Sequence, residues 1–104
     1  MTIRTTTRNA TMIARAIKGM EDFTTSGALR GEANPNWINS GRMSDVDNAR
    51  MQVERAGQGI DYVIYSYGTP IAYRANGEWV TPDAKYSVTT SKHQSTIRYA
   101  LGLV

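Results

Sequence analysis

The residues best suited to chemistry lie together near the C-terminus, in Ser87-Val-Thr-Thr-Ser-Lys-His-Gln94. Hydroxyls, a lysine and the chain's only histidine are concentrated there, where a strand pattern gives way to a helix pattern. The first turn of a helix leaves backbone N–H groups without internal partners, and its partial positive charge favours an anion. Thr89, Thr90 and Ser91 can add hydrogen bonds at that point, Lys92 and Arg98 charge, and Tyr65 or Tyr67 a ring on which a base stacks. Binding of a phosphate group is the chemistry this pattern suits. The plainer alternative is that Thr89 or Thr90 caps the helix and Lys92 is solvated.

His93 stands one helical turn before Ile97, on the stripe that should face a sheet. Buried, it would be a neutral imidazole bonded to a tyrosine or a carbonyl. Placed at the ligand site it could also serve as an acid or base, since its ordinary pKa is near neutrality, but it would need a partner such as Asp61 or Asp83. One histidine and no cysteine fall short of the usual metal-ligand sets, so neither a metal nor a cofactor is expected. Absence of cysteine also removes thiol catalysis and disulfides. P-loop, dinucleotide fingerprint, serine-hydrolase elbow and paired-carboxylate patterns are missing from the sequence. The expectation is therefore a non-enzymatic protein, with a small hydrolase or nuclease built on His93 as the enzymatic alternative.

Charge is unevenly distributed. Residues 1–20 carry four bases and no acid, residues 21–83 five bases against nine acids, and residues 84–104 three bases and no acid. If both ends pack on the same side, one face is basic and attracts phosphate-bearing partners. Scattered charge that only aids solubility is the alternative. No apolar run approaches the roughly 20 residues that span a bilayer, so no membrane association is expected and a soluble, cytoplasmic protein is.

The elements that must position these residues fit one domain over residues 1–104. A helix after Thr5-Thr6-Thr7 puts Ala10, Ile13, Ala14 and Ile17 on one stripe and stops at Gly19. Phe23 to Thr25 and Ala28 to Arg30 flank Ser26-Gly27 as a short hairpin, and residues 34–41 read as a loop tacked down by Trp37 and Ile38. Ser44-Asp-Val-Asp47 resembles a capping box opening a helix whose thin stripe is Val46, Ala49 and Val53, with Met51 to one side. Ile60 to Tyr67 is a strand, Gly68-Thr-Pro70 a turn, Ile71 to Arg74 a strand, and Asn76-Gly77 a hairpin turn into Trp79-Val80. Tyr86-Ser-Val88 reads as a further short strand before the last helix, which carries Ile97, Ala100 and Leu101 inward. Segregated helices and strands predict an α+β fold: an antiparallel sheet of about four to five strands, with about three helices packed on one face.

The run Tyr62-Val-Ile-Tyr-Ser-Tyr-Gly-Thr-Pro-Ile-Ala-Tyr73, then Trp79, then Lys85-Tyr-Ser-Val-Thr-Thr-Ser-Lys-His-Gln94 resembles a family of small proteins encoded by bacteriophages and related mobile elements of actinobacteria. Ser26-Gly-Ala-Leu-Arg-Gly31 is a weaker echo of it. The resemblance implies a phage or mobile-element origin, hence a host-cell cytoplasm, and brings no activity with it. Two functions follow as expectations. The first is an accessory protein that binds nucleic acid or a nucleotide through the start of the last helix, as a monomer or a homo-oligomer. The second is an interaction module, anchored by its aromatics, that inhibits or redirects a host protein, including one of host defence.

Overall fold

A computed structural model describes residues 2–7, 9–25, 27–35, 37–38, 41–57, 59–75, 77–81 and 88–102, with the backbone alone over 88–91. Its elements run β1 (Thr2–Thr5), α1 (Ala10–Lys18), β2 (Asp22–Thr25), β3 (Leu29–Ala33), α2 (Asp45–Gly57), β4 (Ile60–Ser66), β5 (Thr69–Ala75), β6 (Glu78–Val80) and α3 (Val88–Ala100). Among the described residues the strands form one sheet of six in the order β1-β2-β3-β4-β5-β6. The class is α+β with three helices, as expected. The sheet is larger than expected and mixed, because β1 pairs in parallel with β2 through the α1 crossover. The threonine-rich start thus contributes a strand, Thr2–Thr5, and Asn9 caps α1, its Oδ1 accepting from the Met12 N–H at 3.1 Å.

The sheet's two faces are both covered, which corrects the expectation of helices on one side. On the first face α1 and α3 pack side by side over Phe23, Leu29, Tyr62, Ile64, Ile71 and Ala72, contributing Ile13, Ala16, Ile17 and Ile97. On the second face Ile38, Met51, Val63, Tyr65 and Tyr73 form a smaller cluster, and Met51 is the residue by which α2 enters it. The predicted stripe of α2 is inverted: Met51 is fully buried, whereas Val46 and Val53 are 79% and 71% exposed. Its start is as read, with the Ser44 hydroxyl accepting from the Asp47 N–H at 3.1 Å.

Strand β4 is central and its alternation sorts the two faces: Tyr62, Ile64 and Ser66 look toward α1 and α3, Val63 and Tyr65 toward α2. Its turn into β5 is Tyr67-Gly68, one residue earlier than predicted, and both residues have positive φ, +52° and +75°. That is the backbone of the tight two-residue hairpin. Thr69 and Pro70 accordingly belong to β5, where Pro70 sits opposite Tyr65 beside a register shift. At the far end of the sheet Arg74 holds Asp61 by two bonds of 2.8 and 2.9 Å. Among the described residues no helix is long and apolar enough to cross a membrane.

Candidate functional site

Helix α3 decides what the C-terminal motif can do. It begins at Val88, so Thr89, Thr90 and Ser91 lie within its first turn and not at its cap; their side chains, and the whole of 82–87, fall outside the described residues. His93, Gln94 and Ile97 form its buried stripe, as the spacing of His93 and Ile97 predicted. His93 Nδ1 and Ser66 Oγ share a buried hydrogen bond of 2.7 Å, which ties the end of β4 to α3. Tyr67 stacks against the same imidazole, ring centroids 6.0 Å apart and planes inclined by 22°. Tyr67 remains 62% exposed while its backbone stays in the left-handed region, a conformation that costs a non-glycine residue about 1–2 kcal/mol. An open aromatic face is thereby fixed over a closed polar pair.

Burial lowers the His93 pKa below its ordinary value. Ser66 is almost wholly covered, and among the described residues no three His, Cys, Asp or Glu side chains are grouped to hold a metal. What the pair does chemically is bond: it anchors the helix that carries the surface residues. This sets a pH dependence. Above about 6.5 the imidazole is neutral in both folded and unfolded chains, and the stability linked to it is fully present. As pH falls below that value the unfolded chain takes up a proton that the folded one resists, so stability declines until His93 protonates in the fold as well. Thermal unfolding between pH about 7.5 and about 5 should show this loss, above the range where carboxylates titrate. His93→Gln, which removes the titrating ring, should abolish the slope; an unchanged slope would mean that His93 is solvated in the folded chain.

The outward faces complete the site. On α3, Lys92, Ser95 and Tyr99 are exposed at helical spacing, Tyr99 by 71%. On the adjoining α1, Thr11, Arg15 and Lys18 are exposed and border a shallow groove with Ala14 and Gly19. Neither helix contains an acid, so the charged side chains that α1 and α3 themselves carry are all basic. Helix α2, across the sheet, carries Asp45, Asp47 and Glu54 alongside Arg50 and Arg55. Among the described residues, the two acid-free helices therefore lie on one side of the sheet. Arg4 lies on the other: Ile3 points into the α1–α3 side of the sheet, which sends its neighbour across.

Of the predicted ligand residues, the structure brings His93 and Tyr67 together, while Lys92, the residue before His93, is exposed. Arg98 is half-buried and lies about 120° around α3 from Lys92 by helical periodicity. Tyr65 does not belong with them. It is buried on the opposite face, with the Arg30 guanidinium 4.1 Å above its ring, because β4 alternation separates it from Ser66 and only the turn brings Tyr67 back. Ser66, Tyr99, Arg15 and Lys18 were not singled out by sequence. A serine in line with Tyr62 and Ile64 on an apolar face was the available signal, since a buried hydroxyl needs a partner.

No curated protein and no solved structure matches this chain. A family model does, over residues 1–102, covering the threonine-rich start and the α2 segment as well as the C-terminal motif. The chain is a member of the family of unknown function DUF8033.

Proposed function

We propose that this protein is a non-enzymatic accessory protein of a phage or mobile element that binds nucleic acid in the host cytoplasm through the outward face of α1 and α3. One observation carries the reading: two adjacent helices without a single acid present Arg15, Lys18 and Lys92 together with an exposed tyrosine, Tyr99. Cations spread over an open layer suit a polymer of phosphates better than one small nucleotide, which calls for a closed pocket. Tyr99, and Tyr67 beside His93, offer rings on which unpaired bases stack. The first turn of α3, with Thr89, Thr90 and Ser91, supplies backbone N–H groups at one end of this layer.

Binding of labelled single- and double-stranded oligonucleotides should be measurable by anisotropy at about 50 mM salt and fall steeply as salt rises. Three phosphate contacts correspond to a log–log slope of about −2.7, or roughly a 40-fold loss between 50 and 200 mM. Absence of binding at low salt ends this reading. Trp37, 67% exposed, favours a second one, an interaction module that inhibits or redirects a host protein, including one of host defence. Under that reading Trp37→Ala abolishes capture of one defined host protein and leaves oligonucleotide binding untouched.

A further inference from the structure

Helix α2 turns its apolar side the wrong way for a helix of a monomer. Met51 alone is buried, while Val46, Ala49, Val53 and Ala56 are all exposed on the side away from the sheet. Their spacing of three, four and three residues is that of a helix–helix seam. We propose that this seam is occupied by α2 of a second copy of this chain, antiparallel, about a two-fold axis at the level of residue 51.

Self-complementarity argues for that occupant and that direction. With the axis at residue 51, Val46 meets Ala56 of the second copy and Ala49 meets its Val53, so each layer sets a branched side chain against a small one. A parallel pair would stack valine on valine and alanine on alanine, alternately crowding the seam and leaving gaps in it. The antiparallel pair also opposes the two helix dipoles. Charges beside the seam agree. On one flank lie Arg50 and Glu54, already an ion pair at 3.3 Å, and the two-fold places each arginine within about 3 Å of axial rise of the second copy's glutamate. On the other flank the two Gln52 amides meet near the axis.

Size sets the affinity. Thirteen residues make a helix of about 20 Å, and a seam that short buries less than the roughly 1,200–2,000 Å² of a stable interface. The dimer is therefore weak and depends on concentration. Sedimentation velocity of the full chain from about 10 µM to about 1 mM should show a reversible shift toward the mass of two chains. Val53→Glu, at an exposed position, should keep the monomer's melting temperature and weaken the association at least about tenfold. Because the chain has no cysteine, single replacements report the direction. Under mild oxidation Gln52→Cys should cross-link to itself; Val46→Cys should cross-link to Ala56→Cys in a mixture, and not to itself. A single monomeric species at all concentrations overturns the proposal, even if some other protein is then found on α2. So does a dimer that survives Val53→Glu, or self-cross-linking of Val46→Cys equal to that of Gln52→Cys.

Discussion

Replacing Gly31 by valine should lower stability by about 3 kcal/mol or more, enough to move the melting temperature down by about 12 °C or beyond in a domain of this size. Gly31 is buried in the middle of β3, directly opposite Phe23 on β2 and Ile64 on β4. A Cβ added there would fall on the edge of the Phe23 ring and 2.9 Å from the Tyr62 hydroxyl. Neither ring can retreat easily. Both are fully buried, and the Tyr62 hydroxyl donates a 2.6 Å hydrogen bond to the Glu21 carbonyl, which fixes the entrance to β2. Burial also pushes the Tyr62 phenol well above its ordinary pKa, so it stays a donor throughout the neutral range. In open surroundings a glycine-to-alanine change gains about 0.4–1 kcal/mol by restricting the unfolded chain. Gly57, at the end of α2 with nothing near its missing Cβ, should behave in that way. Even Gly31→Ala should have the opposite sign, and chemical denaturation of the two alanine variants side by side reads the contrast. Equal stabilities would mean that Phe23 has room to move.

The second large effect concerns binding. Reversing Arg15, Lys18 and Lys92 together to glutamate turns the outward face of α1 and α3 from basic to acidic without touching a buried residue. Affinity for an oligonucleotide at about 50 mM salt should drop by a factor of about 100 or more, and the salt dependence of what remains should become nearly flat. Reversing Arg4 and Arg42 instead is the matched comparison. Arg4 belongs to the other face of the sheet, and Arg42 to the loop that enters α2, where its N–H donates to Thr69 Oγ1 at 2.8 Å. That double variant should lose no more than severalfold, the share owed to net charge alone. If both sets weaken binding alike, the α1–α3 layer is not the contact surface. Circular dichroism shows whether the fold survives, and the exposed positions predict that it does.

Much of this arrangement was legible in the chain. The β4–β5 aromatics, the Ser26-Gly27 hairpin, the Gly19 stop and the Ser44 start are local signals, and local chemistry settles them. Two features were not local. Strand β1 has one apolar residue, Ile3, and exists because β2 lies alongside it, a parallel pairing that only the α1 crossover makes possible. Helix α2 misleads for a different reason. Its most regular apolar stripe is the side that faces solvent, and one methionine on the opposite side decides how it docks. Within the site, His93 and Ile97 were placed by periodicity, and Lys92 by the charge pattern. Tyr65 was misplaced because strict alternation groups it with Tyr67, which leaves the strand at a positive φ and points elsewhere. Arg15 and Lys18 were visible as charge in the first twenty residues, but their approach to α3 depends on packing over a shared core.

Every strand of this sheet lies next to its neighbour in sequence. No segment has to wait for a distant one to be threaded between two others, so the sheet can grow by accretion from the N-terminal edge as the ribosome releases it. Two helical stretches interrupt that growth, the one holding α1 between β1 and β2 and the one holding α2 between β3 and β4; the second closes the longer loop, and the entropic cost rises slowly with length. Topologies in which sequence neighbours are also spatial neighbours form quickly and leave few unpaired edges for misassociation.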